Sequence, residues 1–191
     1  MEKKLMENKS AFITGAGTGI GEALSRLPAS PGWIVNVTSA AVYITIPPGA
    51  SYPVSKNAFS VFSRHLRMEL APFGIDVTSL EPGGVATPMT SSEVMTEMGF
   101  LERSPKEIRE LYRPYFIHPG EALSETFRFL TPDEFAEKVY SRVLCAKKFK
   151  PSYTIGPGVG FMPVLQHVLS QSMIEKLWKR QFRVGRPGRE K

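Results

Sequence analysis

Cysteine is nearly absent from this chain. Cys145 is the only one, so no disulfide can close within it and nothing points to an oxidising compartment. Long apolar runs are missing as well. No stretch of about 18 apolar residues occurs, which excludes a membrane-spanning helix. The opening MEKKLMENKS is charged and has no apolar segment to serve as a signal peptide, so a cytoplasmic location is expected. There is no internal repeat and no low-complexity tract, and no metal is expected. Acidic side chains are missing from one long interval: from Ala23 to Met68 there is neither Asp nor Glu.

What is present describes an ordinary globular chain. Its 191 residues are 42% hydrophobic and 22% charged, enough for one domain with a core. Charge is unevenly placed. Residues 142–191 carry 11 Lys and Arg against two Asp and Glu, while residues 1–141 carry 13 against 16. A basic end of this kind suits an anionic surface or stands as a solvated face. It lacks the interleaved aromatics or the module of a nucleic-acid binder, and no nucleic acid is expected.

Hydrophobic patterning gives alternating strands and helices. Ser10–Thr14 is a short apolar run ending at glycines, the pattern of a buried parallel strand. Glu22–Leu27 is helical until Pro28 stops it. Trp33–Thr38 reads as a second buried strand, and 44–50, with two adjacent prolines, as a loop. From Ser51 to Leu70 the pattern is helical: Ala58, Val61, Phe62 and Leu66 recur at spacings of three and four, with Arg64, Arg67 and Glu69 on other faces. Pro53 is compatible with this only in the first turn. Ile75–Leu80 alternates as a strand, closed by Pro82-Gly83-Gly84. Residues 88–130 are the least regular. Thr131, Pro132 and Glu134 make a capping box for a helix running to about Ala146. Tyr153–Gly156 suits an edge strand. Phe161–Phe182 reads as one amphipathic helix with Leu165, Val168, Leu169, Leu177 and Trp178 on its stripe. The domain division expected is 1–160, including a lid at 88–130, followed by an amphipathic helix and basic tail at 161–191.

Two constellations carry chemistry. The first is strand, glycine turn, helix, with Gly15, Gly19 and Gly21 in the turn. Glycines let the backbone approach a pyrophosphate, and a helix N-terminus offers unpaired N–H groups. The second is Ser39 after a strand, then Tyr52 and Lys56 one helical turn apart. A phenol with a pKa near 10 exchanges protons poorly at neutral pH. A neighbouring ammonium stabilises the phenolate and brings that pKa toward the working range. Ser39 is suited to hydrogen-bonding a substrate oxygen. Taken singly, these three are a strand-end serine, a helix-start tyrosine and a surface lysine.

Together the motifs resemble the short-chain dehydrogenase/reductase family. Thr14-Gly15-Ala16-Gly17-Thr18-Gly19-Ile20-Gly21 matches its Thr-Gly-x-x-x-Gly-x-Gly turn. Ser39 and Tyr52-Pro53-Val54-Ser55-Lys56 match its catalytic part, and Pro82-Gly83-Gly84-Val85-Ala86-Thr87 its Pro-Gly-x-x-x-Thr segment. The resemblance implies an α/β fold, a Rossmann-like doubly wound parallel sheet, and an enzyme interconverting an alcohol and a ketone with NAD or NADP. It implies Tyr52 as general acid/base, Lys56 as the group that lowers its pKa and holds the nicotinamide ribose, and Ser39 as the carbonyl-polarising residue. Thr14, Gly15, Thr18, Gly19, Ile20 and Gly21, with Pro82, Gly83, Val85 and Thr87, would line the cofactor. It further implies dimer contacts through the Tyr52 helix. The Met- and Phe-rich 88–130 segment suggests an apolar, lipid- or steroid-like substrate.

One interval departs from the family. Only Glu22–Gly32 lies between the glycine turn and the strand leading to Ser39, too little for even one βαβ unit of about 30 residues. The acidic residue that grips the adenosine ribose, expected about 20 residues after the glycines, and the family's catalytic asparagine have no counterpart. Asn36, inside the strand, is no substitute. The chain therefore reads as internally shortened between the glycine turn and Ser39, by alternative transcript, gene-model error or decay. The sheet is expected to be curtailed, its central strands and helices missing, with β-strand pairing forced between unaccustomed neighbours. Weak dinucleotide binding and impaired activity follow as expectations. The rival expectations are an inactive interaction or dimerisation partner and a lipid-surface binder using 161–191.

Overall fold

A computed structural model describes residues 11–13, 33–45, 50–90, 104–112 and 128–182. Among these residues, four parallel strands form one sheet in chain order: β1 (Ala11–Ile13), β2 (Trp33–Val37), β3 (Asp76–Pro82) and β4 (Ser152–Ile155). The fold is α/β, a Rossmann-like parallel sheet with helices on both faces. The first strand pairs directly with the second, Ala11 opposite Trp33 and Ile13 opposite Val35. That pairing satisfies backbone groups the short interval would otherwise leave bare. The expected edge strand near residue 153 is present as β4, in register with β3 from Ser79–Ser152 to Pro82–Ile155.

Alternation along the strands separates two faces. Val35, Leu80 and Ile155 join Phe135, Val139, Val143 and Leu144 in the larger core cluster. Those last four belong to α3 (Pro132–Val139) and the π turn Tyr140–Leu144 that extends it. The capping box forms as expected: Glu134 N–H donates to Thr131 Oγ1 at 3.1 Å and Thr131 N–H to Glu134 Oε2 at 2.8 Å. A shorter helix, α2, spans 106–112.

The opposite face is covered by α1 (Ser51–Leu70), with Pro53 in its first turn. Here the structure inverts the sequence pattern. Ser63 is the only buried residue of α1. Its hydroxyl accepts from Asn36 Nδ2 at 2.9 Å and donates to Phe59 carbonyl. Arg67 also turns inward. Its guanidinium donates to the carbonyls of Val77 and Phe149 and lies 3.8 Å from Asp76. Val61, Phe62 and Met68 are left exposed. Asn36 on the sheet takes Ser63 as its partner, and the Val77 and Phe149 carbonyls take Arg67, so the helical period is right but its apolar side faces away from the sheet.

The single helix expected over Phe161–Phe182 is two: α4 (Met162–Val168) and α5 (Gln171–Gln181). Leu169 and Ser170 adopt extended backbone between them. The break rotates the stripe. Met162, Ile174, Trp178 and Phe182 are buried with Ala40 and Val159 in a second cluster, whereas Val168 and Leu177 are exposed.

Candidate active site

The strands point their carboxyl ends to one edge, where ligands of such sheets bind. β2 continues there into Thr38 and Ser39. Thr38 N–H donates to Leu80 carbonyl at 2.7 Å, carrying the sheet register up to the serine. Ser39 then caps a 3-10 turn, Ala40–Tyr43, accepting from Ala41 N–H at 3.1 Å. Sequence patterning did not anticipate this turn. The bond occupies one lone pair of Ser39 and leaves its proton available.

Tyr52 is the second residue of α1, partly exposed. Lys56 follows one turn later, its ammonium 5.8 Å from the centre of the Tyr52 ring. Lys56 Nζ donates to the Val37 carbonyl at 3.3 Å. Burial pushes the Lys56 ammonium below the ordinary lysine range. The structure thus joins Lys56 to the strand bearing Ser39 and to the ring of Tyr52. Among the described residues no hydrogen bond links the Tyr52 hydroxyl to Ser39 or Lys56.

The segment after β3 is packed into the fold. Gly83 N–H donates to Ile155 carbonyl at 2.8 Å, and a Cβ on Gly83 would meet the Val159 methyls at 3.0 Å. At Gly84 a Cβ would overlap the Phe129 ring. Val85 is buried, bridged to Leu130, and its side chain belongs to the larger core cluster. Thr87 N–H donates to Thr90 Oγ1 at 3.0 Å, and Pro82 ends β3 in the buried edge. Thr14, Gly15, Thr18, Gly19, Ile20 and Gly21 lie outside the described residues, as does most of 88–130. β1 ends at Ile13, beside β2 and at the same carboxyl edge.

Patterning missed a buried carboxylate. Glu81, beside Pro82, accepts from Tyr43 Oη at 2.9 Å and Thr154 Oγ1 at 2.7 Å. Its signal was available: a carboxylate within an otherwise uncharged strand stretch, Val77–Pro82.

Comparison with known proteins agrees with this geometry. The family model described as short chain dehydrogenase matches residues 26–97. An NADPH-dependent 1-acyldihydroxyacetone phosphate reductase of Schizosaccharomyces pombe is 37% identical over 121 residues, covering 62% of this chain and 39% of its own. Human 17-beta-hydroxysteroid dehydrogenase type 2 is 31% identical over 174 residues, covering 86% of this chain and 44% of its own. These likenesses support a short-chain dehydrogenase/reductase. A short chain dehydrogenase from Burkholderia cenocepacia, solved with NADP, shares the fold at 19% identity and a TM-score of 0.51, over 76% of this chain and 48% of that one. The chain thus spans under half the length of these relatives.

Proposed function

We propose that the chain carries the catalytic half of an NAD(P)-dependent oxidoreductase that interconverts an alcohol and a ketone, with the cofactor-anchoring half incomplete. The observation that carries this reading is Lys56, held to the Val37 carbonyl two residues before Ser39 and set over the Tyr52 ring. Tyr52 exchanges the proton of the alcohol oxygen, Lys56 favours the phenolate by its charge, and Ser39 donates its free proton to that same oxygen. When bound, the nicotinamide supplies or accepts the hydride. Lys56 and Tyr52 at the carboxyl edge suit its ribose end, with Thr14–Gly21 as the pyrophosphate turn. The names of the S. pombe and human relatives support NADPH use and an apolar, lipid- or steroid-like substrate.

The short interval before β2 limits this activity. No acidic residue lies between Ala23 and Met68 to hold the adenosine ribose, and small misplacements of reacting groups cost on the order of 100-fold in rate. Turnover of this chain is expected near background for ketones and alcohols alike. Inserting a relative's central segment between Leu27 and Trp33 tests the reading: activity should return and Tyr52→Phe should then abolish it. Activity that survives Tyr52→Phe would refute the role of the phenol.

A second reading is favoured by the outward apolar face of α1. Val54, Val61, Phe62 and Met68 are exposed, and the Phe59 and Phe62 rings stack at 5.9 Å, as suits pairing with another copy of this helix. A contact with anionic membranes is supported by exposed Phe161, Val164, Val168 and Met173 beside Lys176 and Lys179. No helix among the described residues is long and apolar enough to cross a membrane. Sedimentation with anionic liposomes that falls as salt rises would support this contact; no sedimentation at low salt would remove it.

A further inference from the structure

We infer that Glu81 and Tyr43 are positioning residues for Ser39, forming a buried clamp that fixes the turn the serine caps. The clamp is built from three elements. Tyr43 is the last residue of the Ala40–Tyr43 turn and its hydroxyl donates to Glu81 Oε2 at 2.9 Å. Glu81 stands on β3 opposite Thr154 of β4, whose hydroxyl donates to the same oxygen at 2.7 Å. Trp178 of α5 donates from Nε1 to the Tyr43 carbonyl at 3.2 Å. One end of the turn is therefore Ser39, continuous with β2, and the other is tied through a side chain to β3 and through its carbonyl to α5.

The chemistry of the carboxylate explains why it sits there. Glu81 is 2% exposed, and a buried carboxylate is costly unless its lone pairs are filled. Two hydroxyl donors converge on its Oε2, and charge-assisted bonds of this kind are stronger than neutral ones. Burial and the Glu81 charge push the Tyr43 phenol well above its ordinary range, so Tyr43 stays a donor and does not compete with Tyr52 for the proton chemistry. Within the turn itself the bonds are long: Val42 N–H to Ser39 carbonyl is 3.3 Å and Ile44 N–H to Ala41 carbonyl 3.2 Å. Four residues with such bonds do not hold themselves, and the anchor at Tyr43 supplies the rigidity that a substrate-contacting hydroxyl needs.

This inference rests on Ser39 as the substrate-contacting serine, but its test reads the turn without cofactor or substrate. Amide hydrogen exchange followed by NMR reports Ala41, Val42 and Ile44, with Thr38, bonded to Leu80 carbonyl, as the sheet control. Glu81→Ala should speed exchange at the turn by roughly 10-fold or more while Thr38 keeps its protection. Glu81→Gln, which keeps an acceptor oxygen, should recover most of the protection. Tyr43→Phe removes one hydroxyl at nearly constant volume and should open the turn as Glu81→Ala does; it gives the result if Glu81→Ala fails to fold. Unchanged exchange at the turn would overturn the clamp. So would an equal rise at Thr38, which would make Glu81 a residue of the sheet core alone. Because exchange is independent of dinucleotide, the clamp can fail while the catalytic reading stands, and the reverse.

Discussion

The Lys56 ammonium is bonded to the carbonyl of Val37 at 3.3 Å, so the helix that bears Tyr52 is pinned to the strand that delivers Ser39. Together with the Asn36–Ser63 bond, this contact ties the two elements to each other. The burial of Lys56 has a consequence for pH dependence.

Burial lowers the Lys56 pKa in the folded chain below its ordinary value of 10.5. The unfolded chain then holds this proton more tightly, and stability rises with pH between the folded and unfolded pKa values. Lys56→Met lacks this contribution. Wild type should gain stability relative to Lys56→Met as pH climbs toward 10.5, as denaturant melts at successive pH values would show; a difference that stays flat or runs the other way would contradict it.

Much of this was legible in the sequence, and the reasons for the remainder are physical. The strands at Trp33 and Asp76, the long helix with Pro53 in its first turn and the Thr131 capping box were readable because each depends on local pattern. The facing of α1 was not, because Ser63 and Arg67 turn inward to meet a polar sheet face that only strand pairing creates. The break at Leu169–Ser170 also escaped, since apolar spacing continues through it while the backbone does not. Spacing singles out Ser39, Tyr52 and Lys56 as candidates, but the Tyr43–Glu81 clamp joins residues 38 positions apart and no local motif signals it.

Ser79 gives a prediction of opposite sign to most core substitutions. Its hydroxyl is buried without a hydrogen-bond partner among the described residues. Leaving such a group unsatisfied costs free energy that removing it recovers. Ser79→Ala should leave stability unchanged or raise it by up to about 1 kcal/mol, measured by urea denaturation. A clear loss would show that the hydroxyl is satisfied.

Thr131→Ala should lower stability by about 1 kcal/mol, the usual loss of an N-cap side chain. The bond from the Thr131 N–H holds the Glu134 carboxyl below its ordinary range. The capping box should therefore persist through mild acid and open only as pH falls through that lowered value. Amide exchange at Thr131, whose N–H donates to the Glu134 carboxylate, checks the pH dependence, and urea denaturation of Thr131→Ala checks the stability loss.

In the proposed function Ser39, Tyr52 and Lys56 are assembled while the cofactor's adenosine end has no anchor. Calorimetric titration of the purified 191-residue chain with NADPH, and in parallel with NADH, tests it most directly. With the remote contacts that supply much of the binding energy missing, the dissociation constant should be weaker than about 100 µM for both. Binding at low micromolar concentration would contradict the claim and would mean that the curtailed sheet holds the whole dinucleotide.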